Sequence, residues 1–312
     1  MIEDVCVIIR SIGEATTSLC YNLLINQVEK DSVIIVSEKP FVKAVEKTFQ
    51  IGIERNKKWT LAIDADILLK EDAVRNLVEW ANSCPEYYFE FQGRVLDKLF
   101  CANRPGGPHL YRTKNLSKAL SFIPTKENDQ RPESTTLNRM AESGYHYYQN
   151  TTVFGVHDFF QHPRDLFRKS HIHSQKHAHY RSYFLSQWHK RLSDNDYKIA
   201  LDGLLSGLKS TEKSKPDSDY FNSIPIINYF STPDMIRDKF NIPEIIDVND
   251  IIRGFSFDKE SIEFEKNNLF LFRRSDKMPR YKSNNILYKI LTNISYQLKK
   301  LSLGLDSISR MI

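Results

Sequence analysis

Cysteine is scarce and irregularly placed: Cys6, Cys20, Cys84 and Cys101 are the four in 312 residues. None has a partner at metal-binding spacing, which excludes a cysteine-based zinc site, and the pattern fits a reducing cytoplasm better than a disulfide framework. Long apolar runs are missing as well. The chain opens on Glu3 and Asp4, and its first apolar run covers residues 5–9, so neither a signal peptide nor a membrane span is expected. No internal repeat is visible. Neither sign of charge dominates: a net +5 admits anionic partners such as nucleotides, phosphates or a membrane surface without requiring nucleic acid.

What remains is an ordinary globular composition, 41% hydrophobic and 27% charged, long enough for one large domain or two. Residues 4–10 (Asp-Val-Cys-Val-Ile-Ile-Arg) form an apolar strand pattern, followed by a turn at 11–14 and a helical pattern over 15–27. A second, β-branched strand at 32–36 precedes a helix at 41–55 that begins after Pro40. A third strand at 60–63 precedes a helix at 71–82. This alternation predicts an α/β fold, a mostly parallel sheet with helices on both faces. In such sheets ligands bind beyond the carboxyl ends of the strands, where Arg10, Ser11, Glu14, Ser37, Glu38, Asp64 and Asp66 fall. Further along, 87–95 reads as a strand, 103–108 as a Gly/Pro loop and 109–112 as a short strand. Residues 115–122 and 135–144 read as helices, and 147–156 as a strand.

The stretch Trp59-Thr-Leu-Ala-Ile-Asp64-Ala-Asp66-Ile-Leu-Leu places two carboxylates one residue apart at the mouth of the core. Buried carboxylates need a partner or a metal. If strand geometry persists through Ala65, both acids face one way, a pair suited to a hard divalent cation that keeps positions open for phosphate. The bland alternative is a solvated turn with Asp66 capping the next helix.

With the opening Val-Ile-Ile-Arg-Ser-Ile-Gly-Glu, the Asp64-Ala65-Asp66 motif, and the later Gly-Gly-Pro-His-Leu-Tyr-Arg, Arg131-Pro132-Glu133 and Val156-His157-Asp158, the first 160 residues resemble a GT-A glycosyltransferase of the family-2-like group. The resemblance implies a Rossmann-like GT-A fold, a nucleotide-diphosphate sugar donor, a glycan or glycolipid acceptor, and Mn²⁺ or Mg²⁺ to neutralise the departing diphosphate. It implies Asp66 as a metal ligand, with Asp64 on the ribose, the sugar or the metal through water. His157 would supply a third ligand. Arg10, Ser11 and Glu14 would line the nucleotide pocket. Glu38 would meet the base or ribose, although relatives often carry aspartate there. For an inverting transfer Glu133 is the candidate general base and Asp158 the reserve. The alternatives are a charge in a helix's first turn for Glu133, a surface ion pair for Arg10 and Glu14, an ordinary loop acid for Glu38 and a strand-end histidine for His157.

Residues 161–284 form a basic, His-rich acceptor, lid or interface region, with six of the nine histidines between 162 and 191. The pairs His171/His173 and His177/His179 diverge on a helix and have no cysteine nearby, so they read as a basic surface that approaches phosphates or headgroups more than as a zinc cluster. Residues 209–218 read as a charged linker and 219–283 as irregular. Residues 285–312 form an amphipathic helix suited to packing on its own domain, to a homodimer, or to peripheral contact with the inner face of a membrane. Two other readings compete with a surface-polysaccharide or glycolipid glycosyltransferase. A sugar nucleotidyltransferase is disfavoured because the loop after the first strand has one glycine, Gly13, and no lysine. A non-catalytic glycan- or nucleotide-binding protein is disfavoured by the retained acid pair.

Overall fold

The computed structural model describes residues 2–125, 131–211, 242–269 and 274–277. The amphipathic segment 285–312 and most of 209–241 lie outside them. The fold is α/β. Seven strands form one sheet in the order β2-β1-β3-β6-β5-β7-β4. These are β1 Val5–Arg10, β2 Val33–Val36, β3 Trp59–Asp64, β4 Ile67–Leu69, β5 Tyr88–Asp97, β6 Ala102–Arg112 and β7 His146–His157. The pairs β1–β2, β1–β3 and β5–β7 are parallel, and β3–β6, β5–β6 and β4–β7 are antiparallel.

Strand β1 is buried along its whole length, as a central strand covered on both faces must be. Val5, Val7 and Ile9 join a core with α1 (Thr17–Ile25) and α3 (Ala73–Asn82), while Cys6 and Ile8 face α2 (Phe41–Arg55). Helix α3 buries Val74, Leu77, Val78 and Ala81, an i, i+3, i+4, i+7 stripe. Helices α4 (Leu116–Leu120) and α5 (Pro132–Glu142) join α2 on its face through Leu116, Leu137 and Met140.

Two differences from the sequence reading matter for the site. Residues 103–108 are not a loop but half of β6. Strand β3 pairs with β6 only at 109–112, so the earlier half has one side free of a partner strand, where proline removes no ladder hydrogen bond. The three-residue β4 was hidden by its brevity. It follows β3 after two residues yet lies at the edge of the sheet, with β6, β5 and β7 between them in the strand order. Three Cα steps span at most roughly 11 Å, so the sheet must curl until its β7–β4 edge meets the end of β3. Asp66 sits at that closure.

Beyond β7 comes a helical extension, α6 (Pro163–Lys176), α7 (Arg181–His189) and α8 (Asn195–Lys209), followed by α9 (Val248–Gly254) and α10 (Lys259–Phe264). Helices α6 to α8 enclose the β5–β6 turn, where Leu99, Phe100 and Cys101 pack with Leu166, Phe184, Trp188 and Leu204. Trp188 donates its indole N–H to the Leu99 carbonyl at 2.7 Å. Helix α6 crosses α8 closely: a Cβ on Gly203 would stand 2.4 Å from the Phe167 carbonyl oxygen, and one on Gly207 as near that of His171. His171 is therefore a core residue, not part of a basic surface. Among the described residues no helix is long and apolar enough to cross a membrane.

Candidate metal centre

The Asp64-Ala65-Asp66 segment leaves strand geometry at Ala65. Ala65 N–H donates to the Arg10 carbonyl at 3.0 Å, and the Ala65 carbonyl accepts from Thr16 Oγ1 at 2.8 Å. Pinned on both sides, the turn sends the two carboxylates apart. They do not share a face, because the chain must turn there to enter β4. Nor does Asp66 cap a helix, since α3 begins after Asp72.

Asp64 belongs to a cluster on the α2–α5 face. It accepts from Arg10 Nε at 2.7 Å, and Arg10 Nη1 donates to Glu133 Oε1 at 2.9 Å. Tyr111 donates to the same oxygen at 2.5 Å, and His109 Nε2 lies 3.2 Å from Glu133 Oε2. His109 Nδ1 meets Glu90 at 2.7 Å, and Phe41 covers the Arg10 guanidinium. Burial alone would raise the Glu133 carboxyl, but Arg10, His109 and the Tyr111 hydroxyl hold it down at about 2. Both its oxygens are engaged. Ser11 and Glu14 close the loop after β1 on itself: Ser11 Oγ donates to Glu14 Oε2 at 2.8 Å, as does Ile12 N–H at 2.7 Å. Burial, and after it the charge on Asp66, raises the Glu14 carboxyl. Glu38 is exposed beyond the end of β2.

Asp66 belongs to a different group. The β4–β7 register sets Ile67 opposite His157, which brings Asp66 beside His157 and Asp158. One ligand atom from each of these three lies within 4.8 Å of the others, and among the described residues no other set of three such groups does so. Asp158 holds a left-handed backbone, φ 64°, a conformation aspartate tolerates better than most residues and one that gathers at functional sites. The sequence reading missed three further members. Asp97 ends β5 opposite His157, with its Oδ2 2.8 Å from His157 Nδ1. Arg104 Nε donates to the same Asp97 carboxylate. Lys169 on α6 donates to Asp66 Oδ2 at 2.5 Å and also to Asp158 Oδ1. Asp97 could have been found, because it ends an apolar strand as Asp64 does; Lys169 carries no local signal.

The donor set fits a divalent cation. Asp66 Oδ1 and Asp158 Oδ2 are buried and accept no well-formed hydrogen bond, although His157 Nδ1 stands 3.1 Å from Asp158 Oδ2 as a charge contact. His157 Nε2 stands 3.5 Å from Asp66 Oδ1, a charge contact too long for a good hydrogen bond. An ionised carboxylate only accepts, so the short contact to Asp97 makes Nδ1 the donor, and the longer approach of Arg104 at 3.3 Å cannot be a hydrogen bond. This carboxylate–imidazole pair orients Nε2 as a ligand. Burial would favour neutral His157, but Asp158, Asp66 and Asp97 raise it well above the ordinary histidine range. A metal would have to take the place of that proton. Burial likewise opposes the charge on Asp66, yet Lys169 and then His157 hold its carboxyl well below the usual range. Two carboxylates and an imidazole suit Mn²⁺ better than the all-oxygen preference of Mg²⁺.

The site thus unites Asp66, His157 and Asp158. It separates them from Arg10, Asp64 and Glu133, and leaves Glu38 apart. No known protein family's sequence pattern matches the chain, and no curated protein matches it. Among solved structures it is similar to A197 from STIV, with 15% identity over 36% of this chain and 67% of that one, TM-score 0.29. It is also similar to a glycosyltransferase involved in the glycosylation of the major capsid of PBCV-1, with 9% identity over 40% of this chain and 68% of that one, TM-score 0.28.

Proposed function

We propose that the protein is a metal-dependent glycosyltransferase that moves a sugar from a nucleotide-diphosphate donor to an acceptor hydroxyl. The observation that carries this reading is the pair of buried, hydrogen-bond-free oxygens, Asp66 Oδ1 and Asp158 Oδ2, beside an imidazole oriented by Asp97. Buried carboxylate oxygens that accept no hydrogen bond and have only an imidazole in charge contact are costly, and a bound cation accounts for them. A bound Mn²⁺ supplies positive charge against the diphosphate that leaves. Asp66, His157 and Asp158 hold it, while Asp97 and Arg104 orient them. The nucleotide lies over the loops after β1 and β2, near Ser11, Glu14 and Glu38. Asp64 and Glu133 anchor Arg10 beneath it. With both oxygens bonded and its carboxyl held near 2, Glu133 is better suited to that anchoring than to taking a proton.

The test is donor hydrolysis and transfer across a panel of nucleotide sugars, with Mn²⁺ or with excess chelator, for the wild type and Asp66→Ala. The expected result is a fall of at least about a hundredfold on chelation and in Asp66→Ala, with the circular dichroism spectrum unchanged. Full turnover in chelator overturns the metal's role. No turnover or diphosphate binding with any donor overturns the transferase.

A further inference from the structure

The metal site already contains a cation. Lys169 reaches from α6 and donates to Asp66 Oδ2 at 2.5 Å and to Asp158 Oδ1; the other oxygen of each acid faces only the His157 imidazole, at 3.5 Å and 3.1 Å. Asp97, the third acid of the group, is met by Arg104 and by the Phe100 N–H at 2.8 Å. The pairing is buried: 14% of the Lys169 side chain and none of the Asp158 side chain is exposed. A primary ammonium is a compact point charge without directional demand, so it can stand in for a metal ion between carboxylates. It cannot share them with one. A divalent cation and an ammonium on the same two acids repel each other strongly in a site shielded from water.

The geometry points to Lys169 as the resident counter-ion of this site, holding Asp66 and Asp158 together until a divalent cation displaces its ammonium. The inference rests on the metal site proposed above. The exchange needs no movement of α6. That helix is held against α8 at Gly203 and Gly207, where even one added carbon on either glycine would clash. The four-carbon stem of the lysine swings instead. The site is then stable without metal, and metal affinity is set by competition with a residue of the chain itself.

Mn²⁺ binding, followed by loss of the free-ion electron paramagnetic resonance signal in the absence of nucleotide, separates the possibilities for full-length wild type and Lys169→Met. The expected result is Mn²⁺ affinity at least about tenfold tighter in Lys169→Met, because the competitor has gone. Equal or weaker affinity in the variant, with the wild type binding Mn²⁺, overturns the lysine's role and leaves the metal site standing. No Mn²⁺ bound by either protein overturns both. A second measurement needs only the wild type: reductive methylation of lysines, mapped by peptide mass. Lys169 should be protected without Mn²⁺ and modified once Mn²⁺ is added. An unchanged rate of Lys169 modification counts decisively against displacement.

Discussion

Two buried charge clusters draw on the same sheet, and they are finished differently. Around Glu133 every oxygen meets a directional donor, the guanidinium fork of Arg10, the Tyr111 hydroxyl or the His109 imidazole. Around Asp66 and Asp158 a single ammonium bridges one oxygen of each, and the other two have only the charge contacts of the His157 imidazole, with no well-formed hydrogen bond. Planar, forked donors fix a geometry, whereas a point charge on a flexible stem fills a space and can leave it. The first cluster is therefore a lock that joins β1, β3, β6 and α5, and the second is a socket. Asp64 and Asp66, neighbours in sequence, divide between them.

The comparison breaks if the two respond alike to mutation. Glu133→Ala strands the Arg10 guanidinium with Asp64 as its one remaining acid. It should cost about 3–5 kcal/mol, read from urea unfolding midpoints. Asp66→Asn keeps the shape of the side chain and leaves Lys169 paired with Asp158, so its cost should stay below that of Glu133→Ala, at about 1–2 kcal/mol. Equal losses would mean that both clusters serve stability alone.

Next in size is Gly155→Ala. A Cβ there would stand 2.3 Å from the Leu68 carbonyl oxygen, inside the β4–β7 pair that sets Asp66 beside His157. We expect about 1–3 kcal/mol of destabilisation from overpacking. Mn²⁺ affinity should weaken roughly tenfold as the ligands part. A variant that loses stability but keeps its affinity would show that the ladder does not position the ligands.

The alternation of apolar runs with helical patterns made the first three strands and helices legible, α2 to the residue, because continuous β-branched runs and a 3.6-residue stripe report burial directly. Strand β6 was misread since Pro105, Gly106, Gly107 and Pro108 signal a loop unless the partner strand is known to end at residue 109. Asp66 and His157 stood out in sequence because each flanks an apolar strand. Their junction with Asp158 depends on the curl of the sheet, a long-range property that no local pattern encodes. Lys169, one of many lysines on amphipathic helices, becomes visible as a site residue only when α6 is docked.

The smallest effect sharpens the contrast from the lock's side. Tyr111→Phe removes the hydroxyl that donates to Glu133 Oε1 and leaves Arg10 on the same oxygen, so it should cost about 1 kcal/mol at neutral pH. Its signature lies in acid. Glu133 is held at about 2, below the ordinary 4.5, so the stability it contributes is present above pH 4.5 and is lost as the pH falls toward 2. The Tyr111 hydrogen bond is one of the forces holding that carboxyl down, though a lesser one than the charges of Arg10 and His109. Without it the folded-state carboxyl titrates higher, and acid unfolding should begin at a higher pH than in the wild type, as followed by tryptophan fluorescence. Acid transitions that coincide would show that the arginine and histidine alone set the charge state of Glu133, and that the phenol contributes packing only.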